Sequence, residues 1–126
     1  MYEVIITQPF VAAHRLRLYD GSLEPLHGHN WKMEVRLQGT DLDRIEVLID
    51  FLEVKQEVAA LLKEIDYSYL NENLNLQGRN PSAEVVAHWL FQKLQGTFHN
   101  PAARVFKVTV WETEDCAASY SEGTEA

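Results

Sequence analysis

The sequence contains a single cysteine, Cys116, so no disulfide can form within the chain. Cationic residues are scarce as well, with 11 Lys and Arg against 19 Asp and Glu and a formal net charge of -8. Because no basic cluster offsets this charge locally, nucleic acid is not an expected partner. No apolar run approaches the length of a membrane span, and the first residues lack the basic-then-apolar pattern of a signal peptide. These absences predict a cytoplasmic protein that contacts neither membrane nor nucleic acid.

Hydrophobic residues, by contrast, make up 46% of the 126 positions, which is enough for one buried core. The chain has no internal repeat and no low-complexity run. We therefore predict one domain over residues 1–121, followed by a frayed tail over residues 122–126.

Apolar and polar side chains alternate every second residue in several stretches, which indicates β-strands. This alternation predicts two long strands and two closing strands, over about residues 2–14, 31–38, 104–113 and 117–120. A shorter strand-like run begins at Ile45.

Apolar residues at three- and four-residue steps predict a helix over residues 51–65, with Asp50 as its N-cap. Asn80 and Pro81 are predicted to open a second helix, because asparagine suits the cap and proline the first helical position. Residues 66–79 are predicted to form a long loop. Together these elements predict an α+β domain, in which two helices lie on one face of an antiparallel four-stranded sheet.

The pair His27 and His29, separated only by Gly28, is the strongest chemical feature of the sequence. Successive side chains of a strand point to opposite faces, so the two imidazoles project the same way. Antiparallel pairing with the preceding strand would bring His14 beside them. Three protein ligands with a fourth position open form the arrangement of a catalytic zinc, although three imidazoles also accept iron or nickel.

Two carboxylates are candidates for the same site. Glu24 lies three residues before His27, within reach of a group bound to the metal, and is our candidate general base. Glu112 continues the strand face formed by Phe106, Val108 and Val110. A charged residue in phase with apolar ones is a local inconsistency of the kind found at functional sites.

Five segments resemble, in order and spacing, those of the 6-pyruvoyltetrahydropterin synthase and 6-carboxytetrahydropterin synthase family: Phe10–Leu16, Glu24–Trp31, Leu48–Phe51, Asn80–Glu84 and Trp111–Thr113. The resemblance implies a lyase that acts on a pterin, with zinc held by His14, His27 and His29. It also implies the tunnelling fold (T-fold), in which sheets from three subunits join into a barrel and two such rings stack into a homohexamer. Pairing between the sheet edges of neighbouring subunits would cover backbone N–H and C=O groups that a small open sheet leaves unpaired.

The resemblance further implies roles for residues outside the histidine motif. Glu112 matches the glutamate that anchors the pterin ring, with Thr113 after it, and Ser82 stands where relatives carry a hydroxyl residue. Asp66 and Tyr67 occupy the positions of the family's Asp-His proton relay. Because a tyrosine does not shuttle protons as an imidazole does, we predict that Tyr67 donates a proton or shapes the pocket.

Most relatives carry a catalytic cysteine just before the paired histidines, whereas this chain has Glu24-Pro25-Leu26 there. That spelling resembles the glutamate-bearing (type III) subgroup. It implies cleavage of 7,8-dihydroneopterin triphosphate to 6-hydroxymethyl-7,8-dihydropterin in folate biosynthesis. Two alternatives stay open: a 6-carboxytetrahydropterin synthase of queuosine biosynthesis or a 6-pyruvoyltetrahydropterin synthase, and an inactive subunit that only binds zinc and pterin.

Overall fold

The computed structural model describes residues 1–123, so residues 124–126 of the predicted tail lie outside the described residues. Two short 3-10 turns, Leu70–Glu72 and Leu74–Leu76, occupy part of the stretch predicted as a loop. In chain order the strands and α-helices are β1 (Tyr2–His14), β2 (His27–Gly39), α1 (Phe51–Leu62), β3 (Ser68–Tyr69), α2 (Ala83–Thr97), β4 (Arg104–Thr113) and β5 (Cys116–Ser121).

The strands form one mixed sheet in the order β3-β1-β2-β4-β5. β1 and β2 pair antiparallel along their whole length, from Tyr2 opposite Gly39 to His14 opposite His27. β3 runs parallel to β1 beside Ala12 and Ala13. The α+β class with two helices is confirmed, but the prediction of four strands, all antiparallel, is wrong. A strand of two residues is too short to leave a two-residue alternation in the sequence.

The core lies between one face of this sheet and the two helices. α1 packs against β1 and α2, while α2 packs against β4 and β5. Alternate strand residues point into this layer because the side-chain period of a strand is two. Six fully or nearly buried examples are Val4, Ile6, Met33, Val35, Val108 and Val110.

The helix ends show where tertiary contacts override sequence signals. α1 begins as predicted, with the Asp50 carboxylate accepting a hydrogen bond from the amide of Leu52 at 2.9 Å, but it ends at Leu62 rather than at residue 65. The N-cap of α2 is Ser82, whose hydroxyl accepts from the amide of Val85 at 3.2 Å. The prediction of Asn80 as that cap is wrong, because the side chain of Asn80 bonds the backbone of Arg17 instead.

Residues 45–50 form turns rather than the predicted strand-like run. The Asp43 carboxylate accepts hydrogen bonds from the amides of Ile45 and Val47, at 2.9 and 3.1 Å. Glu46 has a left-handed backbone, with φ of 67°, which a strand does not permit. A local side-chain acceptor therefore replaces a neighbouring strand in this segment.

Candidate metal centre and substrate groove

The end of the β1–β2 pair that is connected by the loop over residues 15–26 carries the histidine motif. His14 lies directly opposite His27 in the register, and His29 lies opposite Ala12, two residues before His14. All three imidazoles are therefore on one face of the sheet, as the strand period requires. The ring centres are 4.6 Å apart for His14 and His27, 4.7 Å for His27 and His29, and 5.5 Å for His14 and His29. The fold thus brings together the three imidazoles that the sequence predicts as metal ligands.

A fourth donor comes from β4. The Oε1 atom of Glu112 lies 2.8 Å from Nε2 of His14, 3.0 Å from Nε2 of His29 and 3.7 Å from Nε2 of His27. The potential ligand atoms of these four residues, which we call the metal group, all lie within 4.8 Å of one another. The carboxylate that interrupts the apolar face of β4 is thus directed at the imidazoles. The prediction that Glu112 anchors the pterin does not include this contact.

Two backbone carbonyls orient the imidazoles. Nδ1 of His14 lies 2.8 Å from the carbonyl oxygen of Pro81, and Nδ1 of His27 lies 2.8 Å from that of Pro25. A carbonyl oxygen only accepts, so in each ring Nδ1 carries the proton and donates it. Nε2 of His27 then presents its lone pair to the metal group, whereas Nε2 of His14 makes a hydrogen bond of 2.8 Å with Oε1 of Glu112, a contact that a bound ion would replace. Metal-binding histidines are commonly held by such a second hydrogen bond, which fixes both tautomer and ring orientation.

His29 supplies the test of whether the metal group fits an ion. Its Nε2 atom is buried and has no hydrogen-bond partner within residues 1–123, although Oε1 of Glu112 lies 3.0 Å away. Burial lowers the pKa of His29, against the opposing negative charge of Glu112, and this favours the neutral ring that binds metals. A buried nitrogen without a partner is costly unless a ligand satisfies it. Three imidazoles and a carboxylate are also a donor set that suits zinc.

Glu24 lies at the rim of the metal group. Its Oε1 atom is 3.7 Å from Nε2 of His27 and accepts a hydrogen bond from the amide of Leu16 at 2.8 Å. The side chain is 26% exposed, so the carboxylate faces both solvent and the metal group. A base in this position is able to reach a ligand that enters from solvent.

Glu112 also borders a groove between the start of α2 and the β4–β5 hairpin. The groove has a volume of about 190 Å³ and is lined by Ala83, Glu84, Glu112, Cys116, Ala117 and Ala118. Larger cavities, of about 210, 220, 390 and 470 Å³, lie elsewhere on the described part of the chain, and no residue of the metal group lines any of these four. Sequence reasoning missed this groove and the two carbonyls, because every residue offers a carbonyl and only the folded chain selects one.

The 6-pyruvoyl tetrahydropterin synthase family model matches residues 3–123, which is nearly the whole chain. The chain belongs to this family. The predicted family and the prediction of a lyase of the tetrahydropterin synthase type, active in pterin metabolism, are therefore confirmed.

Individual relatives of the tetrahydropterin synthase family agree with this assignment. The chain is 33% identical to a 6-carboxy-5,6,7,8-tetrahydropterin synthase from Synechocystis, over 88% of this chain and 86% of the relative. It is 28% identical to a dihydroneopterin monophosphate aldolase from Pyrococcus furiosus, over 87% and 89% of the two chains. The solved structure of Caenorhabditis elegans 6-pyruvoyl tetrahydropterin synthase superimposes with a TM-score of 0.83 at 25% identity, covering 97% of this chain and 96% of that one. The T-fold of the single chain is thereby confirmed, whereas its assembly into a homohexamer stays a prediction.

The predicted relay residues of this family member are outside the metal group. The Asp66 carboxylate accepts a hydrogen bond from the amide of Val11 at 2.8 Å, beside the edge of β1. Tyr67 has a left-handed backbone, with φ of 55°, and its side chain is 83% exposed. Within residues 1–123 no hydrogen bond or ion pair joins either side chain to the metal group.

The two predicted hydroxyl residues make local contacts. Ser82 caps α2, and the hydroxyl of Thr113 donates to the Asp115 carboxylate at 2.9 Å. Their roles toward a substrate stay predictions.

No helix in the described part of the chain is both long enough and apolar enough to span a bilayer.

Proposed function

We propose that this family member is a zinc-dependent lyase that cleaves the side chain of 7,8-dihydroneopterin triphosphate, with Glu24 as the base. The product is then 6-hydroxymethyl-7,8-dihydropterin, a folate precursor. The observation that carries the proposal is the Glu24 carboxylate, 3.7 Å from Nε2 of His27 in a loop that contains no cysteine. The 28% identity to an archaeal dihydroneopterin monophosphate aldolase supports the same reaction class.

In this proposal His14, His27 and His29 hold the zinc through their Nε2 atoms. The carbonyls of Pro81 and Pro25 support that role, because they bond Nδ1 of His14 and His27 and so turn both Nε2 atoms toward the metal group. When bound, zinc supplies a Lewis acid that lowers the pKa of a substrate hydroxyl. Every proton transfer is then the task of the chain's own side chains.

The cleavage is a retro-aldol reaction. Glu24 takes the proton of a side-chain hydroxyl, and that oxygen becomes the carbonyl oxygen of the leaving aldehyde. The adjacent carbon–carbon bond breaks, and its electron pair passes into the pterin ring. The carbon that remains on the ring then takes up one proton, so the protons balance. The Glu24 carboxylate suits the first step because it is held at the rim of the metal group, where it is able to reach a bound hydroxyl.

Glu112 is proposed to bind the pterin ring. The ring presents an edge of N–H donors, and a carboxylate accepts two parallel hydrogen bonds from such an edge. The groove beside Glu112 supports this role, since it opens next to the metal group. With zinc held by the three imidazoles, the carboxylate of Glu112 is available to the ring, and Ser82 and Thr113 are proposed to contact the ring as well.

A homohexamer is the proposed assembly. The groove, at about 190 Å³, is smaller than the roughly 300–1,000 Å³ of common ligand pockets. It lies beside β5, one of the two edge strands of the sheet, so a second copy paired there would deepen it. Tyr67 is 83% exposed, and within residues 1–123 its side chain makes no hydrogen bond to the metal group, so we propose that Asp66 and Tyr67 serve as a proton relay toward a neighbouring copy. Light scattering on the purified protein tests the assembly directly.

A second candidate is a 6-carboxytetrahydropterin synthase, favoured by the 33% identity to the Synechocystis enzyme of that name. The deciding experiment incubates the zinc-loaded protein with 7,8-dihydroneopterin triphosphate and, separately, with the monophosphate. Products are identified by mass. Hydroxymethyl-dihydropterin supports the lyase with Glu24 as base, whereas carboxy- or pyruvoyl-tetrahydropterin supports the synthases. Unchanged substrate in both reactions indicates a subunit that binds the ligand without catalysis.

A further inference from the structure

The segment that joins His14 to the loop of Glu24 is held by two asparagine side chains. Oδ1 of Asn71 accepts from the amide of Arg15 at 2.9 Å, and Nδ2 of Asn71 donates to the carbonyl of Arg15 at 2.7 Å. Asn80 makes the same two bonds to Arg17, at 2.7 and 3.0 Å. A primary amide carries a donor beside an acceptor, so each asparagine pairs with the backbone as a neighbouring strand would.

The residue between these two pairs holds the proposed base. The amide of Leu16 donates to Oε1 of Glu24 at 2.8 Å, and the carbonyl of Leu16 accepts from the amide of Glu24 at 3.0 Å. In an extended chain, alternate residues turn their backbone groups to opposite sides. Residues 15 and 17 therefore bond the asparagines while residue 16 bonds Glu24. The backbone of Leu16, which bonds the Glu24 carboxylate, therefore lies between two residues whose backbones are bonded by asparagine side chains.

We propose that Asn71 and Asn80 are positioning residues that hold Glu24 in place for proton transfer, an inference that rests on the proposed role of Glu24 as base. No strand pairs with residues 15–25 in the described structure apart from the single bridge between Arg17 and Leu23. The hydrogen bonds from Asn71 to Arg15 and from Asn80 to Arg17 take the place of a paired strand. A displacement of about 1 Å in a reacting group can lower the rate about a hundredfold, so the position of the Glu24 carboxylate matters for turnover.

The two asparagines are not equivalent as test sites. Asn80 precedes Pro81, whose carbonyl orients the metal ligand His14, so a change there affects both metal and base. Within residues 1–123 the side chain of Asn71 hydrogen-bonds only the backbone of Arg15. Asn73, two residues further on, is the matched control. Its side chain also makes backbone bonds, from Nδ2 to the Glu64 carbonyl at 2.8 Å and from the Asn75 amide to Oδ1 at 3.0 Å, but none to residues 15–17.

The experiment compares Asn71→Ala with Asn73→Ala. We expect Asn71→Ala to lower kcat about ten- to a hundredfold with KM and zinc content unchanged. Hydrogen exchange at the Leu16 amide, measured without substrate, should become about tenfold faster or more. Asn73→Ala should lose similar thermal stability with neither change. If Asn71→Ala does not fold, Asn71→Ser, which keeps a small polar group, is measured in the same way.

Two results would overturn the proposal: wild-type kcat in the Asn71 variant, or equal losses of kcat in the Asn71 and Asn73 variants. Unaltered exchange at Leu16 would overturn it independently of any activity. Because the exchange measurement needs no substrate, it separates this inference from the proposed reaction. If the wild-type protein releases no hydroxymethyl-dihydropterin, it is the proposed reaction that fails.

Discussion

The metal group and the proposed base lie side by side, yet different kinds of structure hold them. His14, His27, His29 and Glu112 project from three paired strands, whose ladders fix both register and facing. Glu24 lies on a loop, where it is held by the backbone of Leu16 and by the side chain of Arg15, and the asparagine amides bond the residues on either side of Leu16. We therefore expect substitutions in the strands to change metal affinity, and substitutions in the loop to change kcat without changing metal affinity. Each prediction below tests that separation.

The largest effect is expected from removal of a strand-borne ligand. His27→Ala should abolish both zinc binding and turnover, because the two imidazoles that remain, His14 and His29, are too few to hold the ion. Metal content after dialysis, together with the product assay, measures both. His99→Ala, in an exposed loop, is the control and should retain zinc. Zinc retained by the His27 variant would remove that ring from the ligand set.

Removal of the loop-borne base should separate the two properties. Glu24→Ala is expected to lower kcat by about 10²–10⁴-fold while zinc content stays that of the wild type, because the carboxylate moves a proton without holding the ion. Steady-state kinetics and metal analysis on the same sample give the result. Glu57→Ala, on an exposed position of α1, controls for loss of a negative charge. Full activity in the Glu24 variant would eliminate it as the base.

Glu112→Gln sharpens the comparison at the one residue shared by metal group and groove. If the carboxylate anchors the ring, substrate binding should weaken by about 1–3 kcal/mol, or about five- to 150-fold in Kd, with zinc unchanged. Titration with a nonreactive pterin measures it. A loss of zinc affinity instead would make Glu112 a metal ligand. Unchanged affinity for both would mean that the ring is held elsewhere.

The smallest effect on chemistry is expected from the middle of the sheet. Val35→Ala creates a cavity at a fully buried position and should lower the free energy of unfolding by about 2 kcal/mol, with zinc affinity and kcat unchanged. Denaturant unfolding measures it. Ile5→Ala, at a position of β1 that is 47% exposed, should change stability by less than about 0.5 kcal/mol. A large loss of zinc in the Val35 variant would show that the two regions are coupled.

The sequence predicted most of the fold where a periodic pattern was long. β1 and β4 have their predicted bounds, and α1 begins at its predicted cap, because the patterns over these segments extend for many residues. β3 was missed because two residues carry no period. The cap of α2 was placed two residues early, because Asn80 had a more distant partner in Arg17 that no local rule describes.

What the sequence determined by itself was the set of donors: three histidines at strand spacing and a glutamate out of keeping with its apolar face. Their facing follows from the two-residue period of a strand, which is a local property. Only the tertiary structure decided which other groups contact or orient those donors. The carbonyls of Pro81 and Pro25, the unpartnered Nε2 of His29, and the two asparagines behind Leu16 come from segments distant in sequence or from backbone groups that every residue shares. Such contacts depend on how the chain closes on itself, and no local pattern encodes them.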